Sequence, residues 1–202
     1  MITERKLTIP AGYDQQNNPM VTSFAAQLDD QLELLRKSCS DLEVRHLEWQ
    51  PHAGVNTIGM LLAHLAVVDV WWIKIAPSAV SESDAESIFS NADTVFKEII
   101  GIGGDDDGMP LPPEGKHPAT LKDKTIAEYF SMIDRARKVS HQELQKWRDA
   151  DLQSTYKLKD RTISREWTAY HVLEHFACHY GQILLLKHLL RDAGLLPQPE
   201  KK

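Results

Sequence analysis

The stretch His171–Pro197, HVLEHFACHYGQILLLKHLLRDAGLLP, decides the fold. Its apolar residues recur at steps of three and four, the period of an α-helix. Upstream, Ser164 has the side chain of an N-cap, so the helix opens near Ser164 and continues to about Leu190. Gly194 and then Pro197 supply the stop, the first by tolerating a left-handed backbone and the second by lacking an N–H. Apolar residues cover more of its circumference than in any other segment, which predicts the most buried helix of the protein.

Three further segments share the helical period. The first runs from about Val21 to Leu42, with Val21, Phe24, Leu28, Leu32, Leu35, Cys39 and Leu42 on its stripe. The second follows the turn-rich QPHAGVN, takes Asn56 as its N-cap and is ended by Pro77. Its stripe holds Met60, Leu61, His64, Leu65, Val68, Trp71, Trp72 and Ile75. The third spans about Thr125 to Trp147, with Asp134, Arg135 and Lys138 on the side away from its apolar face. No segment shows a convincing strand alternation. The expectation is an all-α protein, a four-helix bundle forming a single domain over residues 1–202. Between the second and third helices lies a long insertion, residues 77–124. In it NADTVFKEIIG forms at most a short helix and GGDDDGMPLPPEGKHP is irregular. A connection of this length in a bundle either crosses it or covers a site.

Composition removes several classes of function. The 202 residues carry a net charge of −6, which argues against a broad phosphate-binding face for nucleic acid. Two cysteines, Cys39 and Cys178, make no disulfide framework and fit a reducing compartment. MITERKLTIP lacks the apolar core of a signal peptide, and no run of about 18 apolar residues marks a membrane span. A cytoplasmic protein without nucleic-acid or membrane partners is expected. There is no GxSxG, P-loop or dinucleotide fingerprint.

The nine histidines carry the chemistry. His175 and His179 stand at i and i+4, so about 40° and one turn separate them, a spacing at which one cation reaches both rings. His64 lies within the apolar arc of the second helix, where an imidazole needs either a hydrogen-bond partner or a metal. Together the three suggest a metal site with open positions, the catalytic form. They are equally consistent with hydrogen-bonded core histidines. His171 drifts about 80° from His179 and reads as a pocket residue at the margin. Gln182, three residues beyond His179, points toward the same cavity. Gly181, costly within a helix, suggests a close helix approach. Cys178 reads as buried packing, and Trp71 and Trp72 as core. Glu174 reads as a solvated charge. Asp69 is open between orienting an imidazole and a solvated or capping role. Asp105, Asp106 and Asp107 lack the ligand alternation of a calcium loop and read as solvated.

NTIGMLLAHLA and HVLEHFACHYGQILLLKHLLRDAGLLP together resemble the DinB-like superfamily. That superfamily has one histidine early in its second helix and an H-x-x-x-H-x-G-Q run in its last. Here those positions are His64 and the run from His175 through His179 and Gly181 to Gln182. It includes bacillithiol S-transferases and mycothiol-dependent maleylpyruvate isomerases. The resemblance implies an up-down-down-up bundle and a divalent cation, zinc or nickel, held by His64, His175 and His179 rather than His171. It also implies small-molecule chemistry, either S-transfer from a low-molecular-weight thiol or hydrolysis, with a homodimer common. The acidic, proline-rich segment from Asp105 to Pro118 departs from the minimal pattern. The rival expectation is a non-enzymatic helical binding or interaction protein with core histidines.

Overall fold

The computed structural model describes residues 6–78 and 82–198. The helices are α1 (Pro19–Cys39), the short α2 (Val44–Leu47), α3 (Ile58–Asp69), α4 (Glu82–Ile100), α5 (Ile126–Leu144) and α6 (Arg165–Asp192). Helix α3 continues without a break into a π-helical turn, Val70–Ile75, and a 3-10 turn, Ala76–Ser78. The four helices expected from periodicity are α1, α3 with its extension, α5 and α6, so the all-α class holds. The caps explain where they begin. Ser164 Oγ accepts from Trp167 N at 3.1 Å, and Thr125 and Glu128 form a reciprocal capping box. For α3 the cap is Thr57 rather than Asn56, since the Thr57 hydroxyl accepts from Met60 N.

Three features differ from the reading of the sequence. The insertion holds a long helix, α4, whose Ala92, Phe96 and Ile100 are buried against the core. These residues keep a four-residue period through a segment rich in Ser, Asp and Glu, and that polar face masked the stripe. A two-stranded antiparallel hairpin, β1 (Thr155–Leu158) and β2 (Arg161–Ser164), leads into α6. It pairs Tyr156 with Ile163 over Ala76, in strands too short for alternation to register. Finally, the most buried helix is α3, not α6. Eleven of the twelve α3 residues are buried, His64 being the exception, whereas Tyr170, Leu184 and Leu185 of α6 are exposed. Helix α3 packs on both α5 and α6 and is covered by α4 and the short α2, so neighbours enclose it on several sides.

Length and composition alone would let Ile58–Ser78 cross a membrane, with a mean hydropathy of 1.7, but 78% of that window is buried inside the protein. This is the apolarity of a core helix.

Where α3 turns into the π-helical segment, its last residue, Asp69, is buried and receives the Arg137 Nε hydrogen bond at 2.8 Å. Arg137 also reaches Asp29 Oδ1 at 3.4 Å. Asp29 in turn accepts from His141 Nε2 at 3.0 Å, which leaves His141 Nδ1 to accept from the Tyr13 hydroxyl at 2.8 Å. One charge network thus ties α1, α3 and α5 together. Removing one member of a buried pair strands the other, at a cost of about 3–5 kcal/mol, whereas replacing both with apolar groups is often neutral. Arg137→Met is therefore expected to lower unfolding free energy in urea by about that amount, and the double variant Asp69→Leu/Arg137→Met to recover most of it. An unchanged single variant would show that the pair is structurally idle.

Candidate metal centre

Helices α3 and α6 pack side by side, and the contact brings His64 against His175 and His179. His175 Nε2 lies 3.3 Å from His64 Nε2 and 3.1 Å from His179 Nε2. All three ligand nitrogens fall within 4.8 Å of one another. His179 is buried and the other two rings are half-buried.

The far nitrogens decide where the protons are. His64 Nδ1 donates to Asp107 Oδ2 at 2.7 Å, a carboxylate that is itself buried. His179 Nδ1 donates to Gln182 Oε1 at 3.0 Å. Each bond places the ring proton on Nδ1, so Nε2 of both rings turns a bare lone pair toward the centre. His175 Nε2 faces both lone pairs, while its Nδ1 is buried without a partner. No single proton on His175 satisfies this arrangement.

One cation would satisfy the three converging Nε2 atoms. Two nitrogens bound to a tetrahedral zinc at 2.0–2.1 Å stand about 3.3 Å apart, close to the separations seen here. Buried imidazoles whose outer N–H groups are held by a carboxylate and an amide are the usual form of a histidine ligand set.

The electrostatics keep the site ready. Burial first, and then the neighbouring imidazoles of His179, His64 and His171, push His175 down to about 3. Burial also lowers His179, offset in part by its bond to Gln182. Both rings therefore remain neutral, the form that binds a metal.

Most of the other candidates sit elsewhere. His171 stands outside the convergent set, stacked on Trp167 with centroids 4.6 Å apart and edge-on to Trp72 at 5.0 Å. Its Nδ1 lies 3.4 Å from the half-exposed Glu174 carboxylate. Cys178 is exposed, not packed, and lies too far around α6 to join the histidines. Gly181 meets no neighbour, since a Cβ there would touch nothing within 4 Å, so the expected close approach is absent. Asp69 belongs to the Arg137 network. Trp71 and Trp72 are only half-buried, and besides packing on the core they line a cavity of about 560 Å³ beside His64 and His175.

Asp107 is the residue that sequence reasoning missed. It stands in an acidic run that reads as solvated, yet it is almost wholly buried. The loop is anchored on both sides. Asp106 accepts from Gly103 N, and the Asp106 carbonyl accepts from Thr120 Oγ1 at 2.7 Å. Gly108, at φ +74°, makes the turn immediately after Asp107, where a Cβ would strike Pro118. The only sequence signal was the glycine closing an Asp run within the insertion.

Residues 27–183 match the sequence model of the DinB superfamily. Among solved structures the chain is similar to a DinB-like protein from Bacillus cereus ATCC 10987. The two share 17% identity over 87% of this chain and 96% of that chain, with a TM-score of 0.46. No curated protein matches.

Two expectations follow from this geometry. Asp107→Ala frees the His64 ring and should weaken zinc binding about 10–100-fold by calorimetric titration; unchanged affinity would refute the orienting role. The lowered His175 and His179 place the loss of their neutral form below the ordinary value of 6.5. Stability from the neutral His175 and His179 rings is then fully present above pH 6.5 and is lost as pH falls toward 3. In the metal-free protein, NMR should find the His175 ring neutral at pH 5, and a midpoint near 6.5 would contradict the burial argument.

Proposed function

The chain belongs to the DinB superfamily, and from that premise we propose a metal-dependent enzyme in which His64, His175 and His179 hold one divalent cation through Nε2. The observation that carries the reading is the convergence of three imidazole nitrogens, two of them with their protons fixed on the opposite side of the ring. Three nitrogen donors suit zinc or nickel. Bound there, the cation supplies Lewis acidity, lowering the proton affinity of a water or small thiol at its open positions.

The residues of the chain do the rest. Asp107 and Gln182 fix the rings of His64 and His179, so that no reorganisation is needed when a ligand arrives. The neutral imidazoles leave the full positive charge of the cation available to a thiolate or hydroxide. Trp71 and Trp72 line the cavity that lies beside His64 and His175. The reaction class is transfer of a low-molecular-weight thiol to an electrophile, or hydrolysis of a small molecule. The rival scaffold of satisfied core histidines fits less well, because three ring nitrogens crowd together and a proton on His175 Nε2 serves only one of the two facing lone pairs at a time.

Protein purified without a histidine tag should contain one equivalent of metal per chain. His175→Ala should lose it, while His171→Ala keeps it. Metal at a hundredfold excess over Kd should stabilise the native state by about 2.7 kcal/mol, read as a higher Tm that a chelator abolishes. Equal, substoichiometric metal in all three proteins would refute the reading.

A further inference from the structure

The cavity beside the triad has a chemical character of its own. His64 and His175 form one end of it, and aromatic rings line much of the rest. Trp71 is the hub. Its ring lies 5.0 Å from Phe89 at 42°, 6.5 Å from Phe96 at 40°, and 6.5 Å from Trp72 at 78°.

Two local devices assemble this wall. The π-helical turn Val70–Ile75 carries more residues per turn than an α-helix, so the adjacent Trp71 and Trp72 fan through a smaller angle and both reach the cavity. Helix α4 supplies Phe89 and Phe96 from the opposite side. Gly103 and Gly104 let the following loop close down, since a Cβ on the first would strike the Asp93 carboxylate and one on the second would press on the Phe96 ring.

Charge narrows the choice of occupant. Among the described residues no lysine or arginine lines the cavity, whereas Asp93 and Asp105 do. Lys97 is engaged by Asp93, and Lys159 lies over Phe89, neither of them a lining residue. Leaving Trp71 and Trp72 half-exposed in a concave site is unfavourable unless something flat and apolar covers them. A volume of about 560 Å³ is that of a small-ligand site.

We propose that this cavity is an aryl pocket whose aromatic wall takes the flat, uncharged aromatic portion of a small-molecule substrate and, in the metal-free protein, disfavours groups that carry a carboxylate or phosphate. That the occupant is a substrate rests on the metal reading, because His64 and His175 belong to both cavity and triad. The pocket itself is tested without metal.

The experiment is calorimetric titration of the full-length metal-free protein with 2-naphthylmethanol, 2-naphthoate and cyclohexylmethanol. The neutral naphthyl probe should bind at least tenfold more tightly than either of the others, and Trp71→Leu should weaken it at least fivefold. Phe89→Leu serves as the second variant, and carries the test should Trp71→Leu fail to fold by circular dichroism. Absence of naphthylmethanol binding, equal or tighter naphthoate binding, equal cyclohexylmethanol binding, or wild-type affinity in the folded variants would each overturn the proposal. Zinc titrated into the same wild-type protein separates the two claims. Failure of zinc alone removes the metal reading, and failure of the naphthyl probe alone removes the aryl pocket.

Discussion

Three converging imidazole nitrogens, two of them without a proton, are the constraint on which the rest of the structure depends. Bare lone pairs repel, and buried ones forgo water as well. Their convergence persists only because the surrounding structure holds the rings. Asp107 fixes His64, Gln182 fixes His179, and the helical i, i+4 spacing sets His175 beside His179. The contact between α3 and α6 then closes the set. Burial that would be a liability for charged histidines becomes an advantage here, since it keeps His175 and His179 in their neutral, electron-donating form.

The insertion between the second and third predicted helices turns out to be part of the site. It places a buried carboxylate against His64 through a tightly anchored turn, and it lays α4 along the mouth of the cavity. The same residues that make the segment look like solvated linker, namely glycines, prolines and aspartates, are those a chain needs in order to turn sharply and cap a ring nitrogen. Opposite it, the charge network of Asp69, Arg137, Asp29 and His141 holds α1, α3 and α5 together where α3 passes into the π-helical turn. Trp71 and Trp72 project from that turn, so the aromatic wall is built on one of the most firmly tied parts of the core.

Much of this was legible in the sequence, and the reasons are physical. Periodicity at 3.6 residues is strong over twenty residues or more, so α1, α3, α5 and α6 could be read directly. The inward positions of His64, His175 and His179 followed from the same angular arithmetic. What stayed hidden depends on contacts distant in sequence. The burial of Asp107 is set by a loop folding back onto α3, which no local pattern encodes. The stripe of α4 is diluted by the Ser, Asp and Glu residues of its polar face, and β1 and β2 are too brief to alternate visibly. The expectation of a deeply buried α6 failed because apolar content measures what a helix offers, whereas burial depends on how many neighbours enclose it. Gly181 shows the same limit in miniature: a costly residue invites a packing explanation, and none is found around it.

The central claim is that the triad closes on one ion. Anomalous diffraction from crystals of the protein grown with zinc, recorded on either side of the zinc absorption edge, tests it most directly. The account predicts a single strong peak about 2.0–2.1 Å from the three Nε2 atoms, with Asp107 and Gln182 still bonded to the far nitrogens. Rings that stay in place around ordinary water, or a peak bound by other residues, would contradict it.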